Sequence, residues 1–409
     1  MKGVRKVKKK KHQEQPTSWR PRGFIQWLLT ILAVIVLPII SIMTYYIWNP
    51  GGFPNIMSVL GAGALIIPTL LLGITVVIII LLVLAVWRKA LLARAILIPL
   101  VLLLSFLTVE PIIKMLNYAK KENVSVSLSS HFFGKTEITS KFTQDVVYET
   151  TADGVELKLD VWRAHGDSKQ SLHPAIVKVH GGGWVEGDKE MAPHWSQWLS
   201  ELGYTVFAIQ YRMPPHAGWK DEVADVKSAI GWVAEHADAY NIDPEKINVM
   251  GQSAGGNLAM LAAYSMGDTK LPPSTNVPSV TVNSVINIYG LSDMEGIYKN
   301  SPSPDYMQDV MEKYIGGTPS QFPDRYKILS PISYIQEKTP PTITLLGTSD
   351  RIVPEEQAEI LDRKLKENNV SHELYLLPRA DHVFDGAPDS LSTQFAYEKV
   401  KAFLQKYNK

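Results

Sequence analysis

Ile242-Asp243-Pro244-Glu245-Lys246-Ile247-Asn248-Val249-Met250-Gly251-Gln252-Ser253-Ala254-Gly255-Gly256-Asn257-Leu258-Ala259-Met260-Leu261 is the stretch whose reading decides the fold. Lys246–Met250 is a short apolar run that reads as a buried strand, and Gly256–Tyr264 reads as a helix. Between them stands a G-x-S-x-G pentapeptide, Gly251–Gly255. A strand-to-helix turn that tight accepts only glycine beside the serine and leaves the hydroxyl exposed at its tip, an arrangement suited to a nucleophile. An ordinary glycine-rich turn could carry the same residues, and the flanking strand and helix favour the nucleophilic reading.

Working outward, three further motifs keep a fixed order. His180-Gly181-Gly182-Gly183-Trp184 follows an apolar run ending at Val179, and its glycines let backbone N–H groups converge where an oxyanion would form. No Lys-Ser/Thr pair follows, so it does not read as a phosphate loop. Asp350 lies in Gly347-Thr348-Ser349-Asp350-Arg351-Ile352-Val353-Pro354, and His382 lies in Arg379-Ala380-Asp381-His382-Val383-Phe384. Ser253, Asp350 and His382 are candidates for nucleophile, acid and base in that chain order, the order in which triad partners follow a G-x-S-x-G elbow. Other residues receive plainer readings. Asp381 and Asp385 read as solvated loop acids, and His180 as a loop organiser. His372 leads into a strand instead of following one, and His173, His194, His216 and His236 sit in no motif. No metal-ligand spacing such as H-E-x-x-H is present, and no cofactor is expected.

The surrounding pattern predicts an α/β class. Val155, Leu157, Leu159 and Val161 alternate with Glu156, Lys158 and Asp160, as in a half-buried strand. Beyond them, Pro174–Val179, Thr205–Tyr211, Lys246–Met250, Ser284–Tyr289, Thr342–Leu346 and Glu373–Leu377 read as buried strands. Val223, Val226, Ile230 and Val233 recur at helical spacing within Asp221–Tyr240. Alternation of this kind predicts a mostly parallel sheet with helices on both faces and a site at the carboxyl ends of the strands. Gly290–Ile335 is longer than a simple connection and is expected to form a small cap.

Charge divides the chain unevenly. Residues 1–23 carry nine Lys/Arg against Glu14, and residues 24–113 carry Arg88, Lys89 and Arg94 against Glu110. With a net charge of +1 overall, residues 114–409 carry +1 − 8 − 2 = −9. An acidic body argues against nucleic acid as a partner. Zero cysteines exclude disulfides, thiolate metal sites and a cysteine nucleophile.

Phe24–Trp48 and Ile56–Trp87 are free of charge, and residues 91–113 are largely apolar. Each is long enough to cross a hydrocarbon core of about 30 Å, which predicts an all-α transmembrane region over 24–113 with spans near 24–48, 56–87 and 91–113. The lipid bilayer is thus an expected partner. The basic residues before Gly23 and in the 88–94 loop predict a cytoplasmic tail over 1–23, a multi-pass cell-membrane protein, and a body over 143–409 on the extracytoplasmic side. Residues 114–142 read as a linker.

HGGGWVEGDK (180–189), YRMPP (211–215), DVKSAIGWV (225–233), the stretch quoted first, GTSDRIVP (347–354) and DHVF (381–384) together resemble the HGGG-type carboxylesterases of the α/β-hydrolase superfamily, including hormone-sensitive-lipase-like and feruloyl-esterase-like hydrolases. The resemblance covers roughly residues 145–405. It implies an α/β-hydrolase fold and Ser253 as nucleophile with Asp350 and His382. It also implies an oxyanion hole from the N–H groups of Gly182, Gly183 and Ala254, supported by His180, Gly181, Gly251 and Gly255. Asp225 matches a family acid expected to be structural. Gln252 departs from the Asp that many lipase-like members carry. The implied activity is a serine hydrolase acting on small-molecule or lipid esters; the three-span front is not part of the family pattern, and its apolar segments make the expected enzyme membrane-anchored. An acyltransferase, a peptidase or a non-catalytic binding protein on the same scaffold are the alternatives.

Overall fold

The computed structural model describes residues 19–166 and 172–408. The basic tail expected over 1–23 lies outside the described residues through residue 18. The chain forms two compact units. One takes in the described residues up to Ile42 together with Leu72–Leu107, and the other takes in Met43–Leu71 and the chain from Thr108 onward.

The apolar front of the chain is helical: α1 (Phe24–Trp48), α2 (Ile56–Ile66), α3 (Pro68–Trp87) and α4 (Leu91–Lys121). Among the described residues, three helices are long and apolar enough to cross a membrane: Phe24–Trp48, Thr69–Trp87 and Leu91–Lys121. In the first unit, Ala33, Ala85, Ala93 and Leu97 are fully buried, while Ile35, Ile80, Val83 and Leu102 are exposed. Large aliphatic side chains on an outer surface fit a lipid environment.

Two sequence expectations are revised here. The single segment expected over 56–87 is two helices, because Pro68 lacks an N–H and drives Ile67 out of the helical region. The 114–142 linker is docked on the body. The last turns of α4 bury Met115 and Ala119 in its core, and α5 (Leu128–Phe133) follows. Ser127 N–H donates to Gln394 Oε1 at 2.6 Å, and Thr136 N–H to Asp389 Oδ2 at 2.9 Å.

The body is one eight-stranded sheet. Its strands are β1 (Thr143–Thr150), β2 (Glu156–Trp162), β3 (His173–Val179), β4 (Thr205–Ile209), β5 (Ile242–Gln252), β6 (Ser284–Ile288), β7 (Thr342–Gly347) and β8 (His372–Leu377). They lie in the order β1-β2-β4-β3-β5-β6-β7-β8, antiparallel from β1 to β4 and parallel from β4 to β8. Every residue of β4, β6 and β7 is buried. Successive side chains point to opposite faces, so both faces of the central sheet are covered.

The covering helices are α6 (Pro193–Glu201), α7 (Asp221–Glu235), α8 (Ala237–Tyr240), α9 (Ala254–Tyr264), α10 (Met294–Asn300), α11 (Pro304–Ile315), α12 (Pro323–Ile328), α13 (Glu355–Glu367) and α14 (Leu391–Tyr407). Helices α10, α11 and α12 occupy the expected cap region and carry Met294, Ile297, Met311 and Tyr326 into the core. The parallel strands end together. β3 delivers His180, β5 delivers Ser253, and the loops after β7 and β8 carry Asp350 and His382.

Candidate active site

Ser253 stands at the turn from β5 into α9 with φ 54° and ψ −122°. That conformation costs a non-glycine residue about 1–3 kcal/mol and is held by its surroundings. Ser253 N–H donates to Ile288 O at 3.0 Å, and Asn257 N–H donates back to Ser253 O at 3.1 Å. The neighbouring glycines make the turn feasible. A Cβ at Gly251 would lie 2.0 Å from Gly255 O, and a Cβ at Gly255 would lie 2.2 Å from His180 O. The second clash shows that the elbow abuts the HGGG loop directly.

A hydrogen-bonded chain leads away from the serine. Ser253 Oγ lies 2.9 Å from His382 Nε2, and His382 Nδ1 lies 2.8 Å from Asp350 Oδ2. Asp350 Oδ1 accepts from the N–H groups of Ile352 (2.9 Å) and Val353 (2.8 Å), so both carboxylate oxygens are engaged and the side chain is fixed. Burial opposes a charge on His382, but the carboxylates of Asp350, Asp381 and Asp385 outweigh it, and its pKa is raised. A neutral Nδ1–H donor to Asp350 leaves Nε2 free to accept from Ser253.

The HGGG loop approaches from β3. A Cβ on Gly181 would lie 3.2 Å from Ser253 Cβ, and Gly182 and Gly183 adopt φ 120° and 59°. Among the described residues, no hydrogen-bond acceptor faces the N–H groups of Gly182, Gly183 or Ala254. His180 stacks on Tyr211 with ring centroids 4.3 Å apart, its Nδ1 lies 2.7 Å from Gly181 O, and burial pushes its pKa down to about 4. The ring is therefore neutral and committed to shaping the loop.

The residues read as solvated acids are buried. Asp385 Oδ2 accepts from Trp195 Nε1 at 2.7 Å and Gln252 Nε2 at 2.6 Å, while its Oδ1 accepts from Tyr289 OH at 2.6 Å. Gln252 is thus a donor to an acid supplied from another loop. Asp381 Oδ1 accepts from His382 N–H at 2.7 Å, and its Oδ2 accepts from Arg351 Nε at 2.6 Å. Asp225 forks with Arg212 (Nη2 to Oδ1, 2.6 Å) and so anchors the YRMPP segment.

The other described histidines stay outside the chain of contacts. His372 Nε2 pairs with Asp362 at 3.2 Å, His236 stacks on Trp232, and His194 Nδ1 lies 2.7 Å from Tyr397 OH.

A cavity of about 700 Å³ opens over Ser253 and His382. One side is formed by Gly181–Gly183, Tyr289 and Asp385, and another by Phe53, Val59, Ala62, Gly63, Ile66 and Ile67. No motif marks the second group. Its only signal in the sequence is an uncharged run interrupted by a proline.

The profile of the BD-FAE family matches residues 159–365, just over half of the 409 residues. The chain belongs to the BD-FAE family. Esterase LipQ of Mycobacterium tuberculosis is 32% identical over 64% of this chain and 62% of its own length. The isoprenylcysteine α-carbonyl methylesterase ICME of Arabidopsis thaliana is 26% identical over 62% of this chain and 58% of its own. The chain thus spans about three-fifths of the curated relatives it matches. The propionate-bound esterase Est2 of Thermogutta terrifontis is 29% identical, with a TM-score of 0.55 over 64% of this chain and 93% of that structure. The BD-FAE body accordingly has the α/β-hydrolase fold, and all the motif residues named above except His382 and its loop fall inside the matched range.

Proposed function

We propose that this BD-FAE protein is a membrane-anchored carboxylic ester hydrolase that works through a covalent acyl-enzyme on Ser253. The observation that carries the reading is the unbroken hydrogen-bonded chain Ser253–His382–Asp350 at the mouth of a cavity. Ser253 Oγ attacks the ester carbonyl as His382 Nε2 takes its proton, and Asp350 holds the resulting imidazolium. The N–H groups of Gly182, Gly183 and Ala254 receive the oxyanion. As the intermediate collapses, His382 returns the proton to the departing alcohol. Water, deprotonated by His382 in turn, releases the acid and frees Ser253. The esterase names of the relatives support the same chemistry.

The three long apolar helices support anchoring, and the basic residues on the N-terminal side of α1 and between α3 and α4 support an extracytoplasmic body. Intact cells treated with a membrane-impermeant fluorophosphonate test both parts. Labelling of wild type but not of Ser253→Ala is the expected outcome. Ser253-dependent labelling only after lysis would reverse the orientation, and none in either sample would remove the hydrolase reading.

A further inference from the structure

Helix α2 is apolar around its whole circumference: Ile-Met-Ser-Val-Leu-Gly-Ala-Gly-Ala-Leu-Ile. Its single polar side chain, Ser58, is buried and donates to Gly51 O at 2.7 Å. Eleven residues rise only about 16 Å, roughly half of a hydrocarbon core. A helix apolar on every face but too short to span needs a second apolar environment besides lipid. Here that environment is the cavity over Ser253, which Val59, Ala62, Gly63 and Ile66 line while Ile56 and Leu60 remain exposed.

The helix is fastened to the loops that carry the hydrogen-bonded chain. Arg351, next to Asp350 and fully buried, holds Asp381 through Nε and donates through Nη1 to the Ser58 carbonyl and, at 2.8 Å, to its hydroxyl. Ahead of the helix, Phe53 N–H donates to Ser303 Oγ at 3.0 Å, and Ser303 Oγ donates to Arg351 O at 2.7 Å. The Phe53 ring meets Tyr306 edge-on, with centroids 4.8 Å apart. Crossing parity agrees with this placement. If α3 and α4 both span, two crossings separate α2 from the body, and both lie on the same side of the membrane.

We propose that Phe53–Ile67 is the chain-binding wall of the site and that the substrate is an ester bearing a long apolar chain, taken from the lipid phase and laid along α2 while its carbonyl meets Ser253. The proposal rests on the hydrolase reading above and gives it a substrate class.

The test uses the full chain in phospholipid nanodiscs with p-nitrophenyl decanoate and p-nitrophenyl acetate, and reads the ratio of their kcat/KM values. Each methylene denied to an apolar site costs about fourfold. Ala62→Trp, which fills the wall, is expected to lower the decanoate-to-acetate ratio by roughly 50-fold. Ile66→Ala, which deepens it, is expected to raise the ratio severalfold. The opposed directions separate a reshaped pocket from general damage. Unchanged ratios in both variants, with Ser253-dependent turnover intact, would overturn the wall and leave the hydrolase standing. No Ser253-dependent turnover of either ester in the wild type would overturn the hydrolase reading, and the wall with it.

Discussion

A Cβ at Gly251 would sit 2.0 Å from a backbone oxygen, whereas one at Gly63 in α2 would meet only Leu70 Cδ2, at 4.0 Å. Gly63 lines the cavity and Gly251 stands two residues before Ser253, which also lines it, yet the two belong to regions built on different principles. Around Ser253 the backbone is strained, the turn has no spare volume, and each polar group of the His382–Asp350 pair has a fixed partner. Along α2 the side chains facing the cavity are aliphatic, Gly63 has room while Gly61 is packed against Tyr46, and the polar attachment reduces to Arg351 and Ser303. The contrast separates two demands. Positioning a proton transfer requires rigid polar geometry, whereas accepting an apolar chain requires only a dry surface of suitable shape.

The sharpest way to break this contrast is at its rigid end. Asp350→Asn keeps the shape but favours the wrong tautomer of His382, and kcat is expected to fall about 10^4-fold with the thermal melt little changed. A loss below tenfold would mean that the pair does not organise proton transfer. Gly251→Ala is expected to destabilise the folded body by more than about 3 kcal/mol, because the new methyl group meets the backbone of Gly255. Thermal unfolding in nanodiscs reads that loss. The matching change in the other region, Gly63→Ala, is expected to leave stability unchanged or raise it by up to about 1 kcal/mol through helix propensity. Equal costs at the two glycines would erase the distinction.

The smallest effect concerns pH. His382 must be neutral to accept the Ser253 proton, so kcat/KM falls as pH drops through its pKa. Because that pKa is raised above the ordinary 6.5, the acid limb is expected above pH 6.5. Asp385→Asn removes one of the carboxylates that raise it, and the limb is expected to move to lower pH. A limb that stays in place would mean that the Asp385 charge is not felt at His382.

How much was legible in the sequence follows from the same division. Strands buried on both faces appear as unbroken apolar runs, so β4, β6, β7 and the buried parts of β3 and β5 are located to within a few residues, and β8, half-buried at the sheet edge, still carries an apolar run. Ser253, Asp350 and His382 stand out as candidates in the sequence because each sits in a turn whose neighbours are restricted in type, and the fold brings all three into hydrogen-bonding contact. Asp385 reads as solvated from sequence because its three donors, Trp195, Gln252 and Tyr289, come from three separate elements, and nothing local distinguishes a buried loop acid from a solvated one. The same holds for Asp381, whose partner Arg351 lies 30 residues away. Helix α2 merges in the sequence into one long apolar segment. Uniform apolarity carries no periodicity, and only Pro68 marked where one helix stops and another begins.

One contact described above bears on how such a protein can change over generations. Arg351 reaches α2 partly through the main-chain carbonyl of Ser58, which any residue at that position would supply. The grip on the helix is therefore largely indifferent to the side chains the helix carries. Mutations at Val59, Ala62 or Ile66 can accumulate without releasing it, while the elbow and the HGGG loop stay untouched. A lineage built this way can reshape one wall of the cavity by altering a short apolar helix, keeping the opposite wall constant throughout.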